Sequence, residues 1–160
     1  MAGGLPGARW TRGENFHLTL RFIGDVDEGV AEDIDGALCE IDAPPFALTI
    51  AGIGFFGKGK AARTVWAGVE ASEPLIRLQR KIETAMQRIG LAAEERKYTP
   101  HITLARLKGT PPGRLESFIA DHSDFYAGPV PVDAFTLYSS FLSASGAIYT
   151  PEVTYPLHPR

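Results

Sequence analysis

The hydrophobic positions along the chain alternate between two periods, with glycine and proline at the points where the period changes. From Asn15 to Gly24 the string NFHLTLRFIG sets Leu18, Leu20 and Phe22 on the core face of a β-strand and His17, Thr19 and Arg21 on the other. The period then becomes helical: in DVDEGVAEDIDGALCEI, Val30, Ile34, Leu38 and Ile41 recur behind an acidic first turn, and Pro44 and Pro45 end the helix. FALTIAGIGFF and RTVWAGVE, rich in branched and aromatic residues, predict two strands joined as a hairpin by the loop GKGKAA. A second amphipathic helix starts at a capping Ser72, has Pro74 in its first turn, carries the stripe Leu75, Leu78, Ile82, Ala85 and Ile89, and stops at Gly90.

The same order then returns. HITLARL predicts a strand ending before Gly109, PPGRLESFIADHSDF a shorter helix, and VDAFTLYSSFL with AIYTPEVTYPL a long hairpin across the turn SASG. Each half runs histidine strand, glycine, helix, hairpin, which predicts a duplicated unit with its two copies around a pseudo-twofold axis. Hairpins rather than crossovers predict antiparallel sheets and an α+β class, with residues 1–160 forming one domain of two intertwined lobes. RIGLAAEERKYTPHITL aligns with AGGLPGARWTRGENFHLTL, yet only the second copy is preceded by a strand and a helix. The first lobe is therefore expected to lack its opening strand and helix, either because the sequence begins late or because the lobe is smaller and leaves a sheet edge in need of cover.

Composition narrows the function classes. Hydrophobic residues at 44% and charged residues at 22% are ordinary for a soluble globular chain. No apolar run approaches the roughly 18 residues of a membrane span, and MAGGLPGARW has neither the basic nor the apolar region of a signal peptide, so a cytoplasmic monomer without membrane partners is the expectation. The single cysteine, Cys39, reads as a small filler on its helix and fits a reducing compartment. A net charge of −3 offers no global attraction for nucleic acid, so a polyanionic ligand has to be held by locally grouped Arg and Lys.

Two of the four histidines stand in the same string, His-[Leu/Ile]-Thr-Leu, at His17 and His101. A shuffled chain carries two such strings on the order of once in 10⁵ trials. In each, the histidine and threonine (Thr19, Thr103) share one strand face and the aliphatic residues the other. An imidazole with a pKa of about 6.5 can be neutral and take a proton while its twin is charged and gives one. Threonine hydroxyls on rigid strands can donate to non-bridging phosphate oxygens as negative charge builds up in a transition state. Phosphodiester cleavage uses all four groups.

Other chemistries fit less well. A catalytic zinc wants three protein ligands, and each motif offers one imidazole beside a poor neutral ligand, so no metal and no cofactor are expected. There is no Gly-x-Ser-x-Gly elbow for a serine nucleophile. Gly52 to Lys58 satisfies half of a P-loop, but Gly59 stands where a Ser or Thr is needed and a strand follows, leaving a hairpin loop with Lys58, Lys60 and Arg63 near a nucleic acid backbone or simply in solvent. His122 and His158 have no repeated neighbours and read as surface residues.

At these residues the chain resembles the two-histidine (2H) phosphoesterase superfamily, in particular the bacterial RNA 2',3'-cyclic phosphodiesterases, also called 2'-5' RNA ligases. The likeness runs through GARW, HLTLRFIGDVDE, TVWAGVE, HITLARL and the tail LYSSFLSASGAIYTPEVTYPL. The resemblance implies a bilobal α+β fold with antiparallel sheets lining a central cleft and helices outside. It implies metal- and ATP-independent opening of a 2',3'-cyclic phosphate, on RNA ends or cyclic nucleotides, to a 2'-phosphomonoester. By the same resemblance His17 is the proton donor to the departing ribose 3' oxygen, His101 the proton acceptor for water, Thr19 and Thr103 hold phosphate oxygens, and Arg106 binds substrate. Strict alternation puts Arg106 on the wrong face, so the strand has to bulge or end before it. Arg21 shares the face of His17 and is a second candidate for that role; Tyr98 and Phe56 are candidates to stack on a base or to lie in the core. Reversible 2'-5' ligation and a non-catalytic nucleotide- or RNA-binding module remain alternatives on the same residues.

Overall fold

A computed structural model describes residues 4–144 and 146–158. The fold is α+β, with strands β1 (Ala8–Trp10), β2 (Phe46–Phe56), β3 (Thr64–Val69), β4 (His101–Leu107), β5 (Tyr126–Val132), β6 (Ala134–Ser143) and β7 (Gly146–Pro156). The helices are α1 (Glu28–Cys39), α2 (Glu73–Arg88) and α3 (Pro112–Asp121). No described helix is long and apolar enough to cross a membrane. The chain divides into two compact units: one from the residues up to Thr19, Leu48–Glu70 and Thr99–Val130, the other from Leu20–Ala47, Ala71–Tyr98 and the residues from Pro131.

The first unit is organised on a five-stranded sheet of order β1-β4-β3-β2-β5, in which β1 with β4, β3 with β4 and β2 with β3 are antiparallel. Its buried face comes from the inward residues of this ladder, Ile53, Val65, Ala67, Ala105 and Leu107, on which α3 lays Leu115 and Phe118. Burying these branched and aromatic side chains against a helix is the main stabilising term, at about 1.5–3 kcal/mol for each fully covered large side chain. The opposite face of the sheet is left to carry the polar residues.

In the second unit β6 and β7 form a two-stranded antiparallel ladder, and Ile34 and Leu38 of α1 pack with Leu78, Ile82 and Met86 of α2 on Phe135 and Tyr155. Asp27 caps α1 by accepting from Val30 N at 2.9 Å. Ser72 stands at the N-cap of α2, but its side chain makes no capping hydrogen bond. Met86, which the expected stripe omitted, is fully buried, and Ala85 and Ile89 are half-buried beside it.

Several expectations are corrected. Residues 15–24 do not form a strand; only Leu18 bridges, to Ile102. The edge of β4 is already taken by β1, which pairs with Ala105–Leu107 while Thr11 N donates to Leu104 O at 2.8 Å, and the chain bends at Leu20. Alternation therefore lapses: Leu20 and Ile23 pack on the second core, and Phe22, expected inside, is 65% exposed. Strands β1 and β5 were not anticipated; β5 lies at the sheet edge, where Pro129 and Pro131 need not donate to a neighbour. Cys39 is exposed at the end of α1 rather than filling a gap. Ser145 of the expected SASG turn lies outside the described residues.

Candidate active site

The outward face of β4 is set by an irregularity in its pairing. Gly68, Ala67 and Trp66 of β3 pair with His101, Ile102 and Thr103, but the next β3 residue, Val65, pairs with Ala105, so Leu104 is an extra residue in β4. A bulge of this kind reverses the parity of everything after it. Arg106, opposite Thr64, therefore falls on the same face as His101 and Thr103. Its Nη1 donates to Thr64 Oγ1 at 3.2 Å. Of the two ways open to the strand, to bulge or to end before Arg106, it takes the first, at Leu104.

The first histidine reaches the same face through one bridge. Leu18 opposes Ile102 in antiparallel sense, and that register sets His17 against Thr103 and Thr19 against His101, on the side away from the two aliphatic residues. In register, each histidine thus stands opposite the threonine of the other motif. His17 and Thr19 are exposed, and His101 and Thr103 are half-buried.

Both imidazoles are held in the same way. His17 Nδ1 lies 2.8 Å from Asn15 O, and His101 Nδ1 lies 2.7 Å from Thr99 O. A carbonyl oxygen can only accept, so Nδ1 donates in each ring and, in the neutral imidazole, the lone pair is on Nε2. The backbone two residues back thereby selects one tautomer for both rings.

An aromatic group borders His101. Phe56 meets it edge-on, with ring centroids 4.8 Å apart and planes at 86°, and Trp66 lies 5.4 Å from Phe56 and 6.2 Å from His101. Phe56 is 38% exposed, so it is not a core residue. Trp66 lies against the backbone of Gly54, where a Cβ would come within 2.3 Å of the indole Cη2. Its Nε1 is buried without a hydrogen-bond partner among the described residues. Trp66 was missed as a site residue because a tryptophan in a strand reads as core; its register opposite Gly54 was the available signal.

Other sequence candidates are placed elsewhere. Arg21 pairs with Glu83 Oε2 at 2.7 Å and Glu94 Oε2 at 3.7 Å, and donates to Phe22 O at 2.8 Å and Ala92 O at 2.6 Å. These acceptors engage its guanidinium in the second unit, so its role as a substrate ligand is set aside. Burial pushes the Glu83 carboxyl up, but donors from Gln87 and the Glu94 amide, with the Arg21 guanidinium, bring it below the usual carboxylate range. Tyr98 is half-buried in the same unit; its hydroxyl lacks a partner among the described residues, and burial pushes its pKa up to about 12. The half P-loop runs through a 3₁₀ turn, Gly59–Ala61, into β3 rather than a helix, with Lys58, Lys60 and Arg63 exposed. His122 is half-buried at the C-cap of α3, its Nδ1 2.8 Å from Phe118 O, while His158 is exposed. Among the described residues, no three His, Cys, Asp or Glu side chains gather as a metal-holding group.

The chain is similar to proteins already known. A family model described as the 2'-5' RNA ligase superfamily matches residues 9–140. An RNA 2',3'-cyclic phosphodiesterase of Thermotoga maritima is 39% identical over 145 residues, covering 89% of this chain and 76% of that protein. One of the same name from Aeropyrum pernix is 36% identical over 138 residues, covering 85% and 78%. Among solved structures, Escherichia coli LigT complexed with 3'-AMP superimposes with a TM-score of 0.73 at 28% identity, covering 96% of this chain and 83% of that one.

Proposed function

The chain belongs to the 2'-5' RNA ligase superfamily, and from that premise we propose that it hydrolyses RNA ends bearing a 2',3'-cyclic phosphate to 2'-phosphomonoesters. The chemistry is a two-histidine proton exchange that needs neither metal nor ATP. His101, neutral with its lone pair on Nε2, takes a proton from a water molecule as the water oxygen bonds to phosphorus. The bond from phosphorus to the ribose 3' oxygen breaks, and His17, in its charged form, supplies the proton that makes the 3'-hydroxyl. Thr19 and Thr103 donate to the non-bridging oxygens, whose charge grows in the transition state, and Arg106 supplies a fixed positive charge on the same face. Phe56 and Trp66 form an apolar wall beside the base.

One observation carries these assignments: the Leu18–Ile102 bridge, whose register opposes each motif's histidine to the other motif's threonine. The relatives named as RNA 2',3'-cyclic phosphodiesterases support the substrate class. Ligation is the same ring-opening with the 5'-hydroxyl of a second RNA in place of water: His101 takes the hydroxyl proton as its oxygen bonds to phosphorus, and His17 protonates the departing 3' oxygen, leaving a 2'-5' phosphodiester; run backwards, these steps cleave that linkage, so hydrolysis and ligation share one site.

The test is incubation of the purified protein with a short RNA ending in a 2',3'-cyclic phosphate, in EDTA, with the product identified chromatographically. A 2'-phosphomonoester is expected. A 3'-phosphomonoester, or loss of turnover on chelation, overturns the mechanism. Thermal stabilisation by the RNA with no product points to a binding module instead.

A further inference from the structure

The β1–β4 register puts Arg9 directly opposite Arg106. Because Arg106 is on the histidine face, so is Arg9, and both are exposed. Like charges facing each other across a strand pair are destabilising, and among the described residues no ion pair involves either one. Packing does not explain why two arginines are set opposite each other across this strand pair. The same row of the sheet continues through Thr64 to Phe56, and the hairpin loop just beyond it brings Lys58, Lys60 and Arg63, with no acidic residue from Gly57 to Val69. In a chain of net charge −3, this end of the sheet is a local concentration of cations.

We infer that Arg9, opposed to Arg106 and extended by Lys58 and Lys60, forms a track for the phosphodiester backbone of single-stranded RNA leading away from the cyclic phosphate. It rests on the proposed reaction for the position of the RNA end. Four ladder steps separate His101 from Arg106, on the order of 13 Å at about 3.3 Å per residue. Counted along the backbone, that is a span of roughly two nucleotides of extended strand, so the row of Arg9 lies on the 5' side of the scissile phosphate. The scissile phosphate belongs at the histidines with Arg106 reaching toward it, the phosphates on its 5' side at Arg9 and the loop lysines, and the bases over the Phe56 and Trp66 rings. Arginine suits this place because its planar fork takes two phosphate oxygens at once. The enzyme therefore prefers oligonucleotide ends to mononucleoside cyclic phosphates.

The experiment compares kcat/KM for an RNA hexamer and for a mononucleoside, each carrying a 2',3'-cyclic phosphate, in wild type, Arg9→Gln and Lys60→Gln. Each substitution is expected to lower the hexamer-to-mononucleoside ratio by about fivefold. Binding of a fluorescein-labelled, uncleavable 2'-O-methyl hexamer, followed by anisotropy against salt, should lose about 0.7 from its log–log slope per lost contact. A ratio that neither variant moves, or wild-type binding indifferent to salt, overturns the track. If neither substrate is turned over, the proposed reaction fails, and the anisotropy series still decides the track.

Discussion

The rings of His101 and Phe56 stand in a T-shaped pair, 4.8 Å between centroids with the planes 86° apart. A T-shaped pair of this kind contributes about 0.5–1.5 kcal/mol beyond burial, and here it restrains the imidazole about the hydrogen bond from Nδ1 to Thr99 O. Phe56→Ala is therefore expected to lower kcat about 2- to 10-fold, with a smaller change in KM. Steady-state kinetics on a cyclic-phosphate substrate separates the two parameters. A change confined to KM makes Phe56 a base-stacking residue only.

His17 and His101 are proposed to act as a pair. His17→Ala and His101→Ala should each reduce turnover on the order of 10²-fold or more, and the double variant should lose much less than the product of the two. The wild-type kcat/KM should follow a bell-shaped pH profile, and each single variant should lose one limb of it. Multiplicative losses in the double variant count against a concerted exchange.

Period and turn chemistry made most of the fold legible: β2, β3, β4, β6 and β7 and all three helices appear near their expected places. Alternation failed at residues 15–24 because it describes one strand in isolation, whereas the pairing there depends on how much of the β4 edge β1 leaves open. Phe22 was expected inside for that reason, and Arg21 was set on the face of His17 by the same alternation. The two motifs stood out by their repetition, and alternation left Arg106 either a bulge or the end of the strand, without giving the place at Leu104 where the bulge lies. Trp66 was passed over because a strand tryptophan reads as core; its place beside Phe56 follows from the hairpin register that sets it opposite Gly54, which becomes a signal only once the β2–β3 pairing is fixed.

Gly54 tests that contact. A methyl group there comes within 2.3 Å of the indole of Trp66, a rigid ring bounded by Phe56. Gly54→Ala is expected to cost about 1–3 kcal/mol as overpacking, a fall of roughly 2–4 °C in Tm per kcal/mol. Turnover should fall further than stability accounts for, because Trp66 moves toward His101. Calorimetry alongside kinetics below the transition checks both. A Tm at the wild-type value means that the indole has another place to go.

Glu83 gives the second unit a defined pH dependence. Its carboxylate accepts from Gln87 Nε2 at 2.8 Å and Glu94 N at 3.0 Å and pairs with Arg21 at 2.7 Å. Burial raises its pKa, and these donors and the guanidinium outweigh burial, so the folded value is below the ordinary 4.5. A depressed carboxylate contributes stability that is fully present above the unfolded value and lost as pH falls through the folded one. Glu83→Gln should therefore destabilise the protein by about 1–3 kcal/mol at pH 7, and the gap from wild type should narrow progressively below pH 4.5. Urea unfolding of both proteins at pH 7 and in that acid range measures the two differences. A gap independent of pH would mean that the carboxylate acts through its shape and neutral hydrogen bonding, and that the Arg21 charge contributes nothing through it.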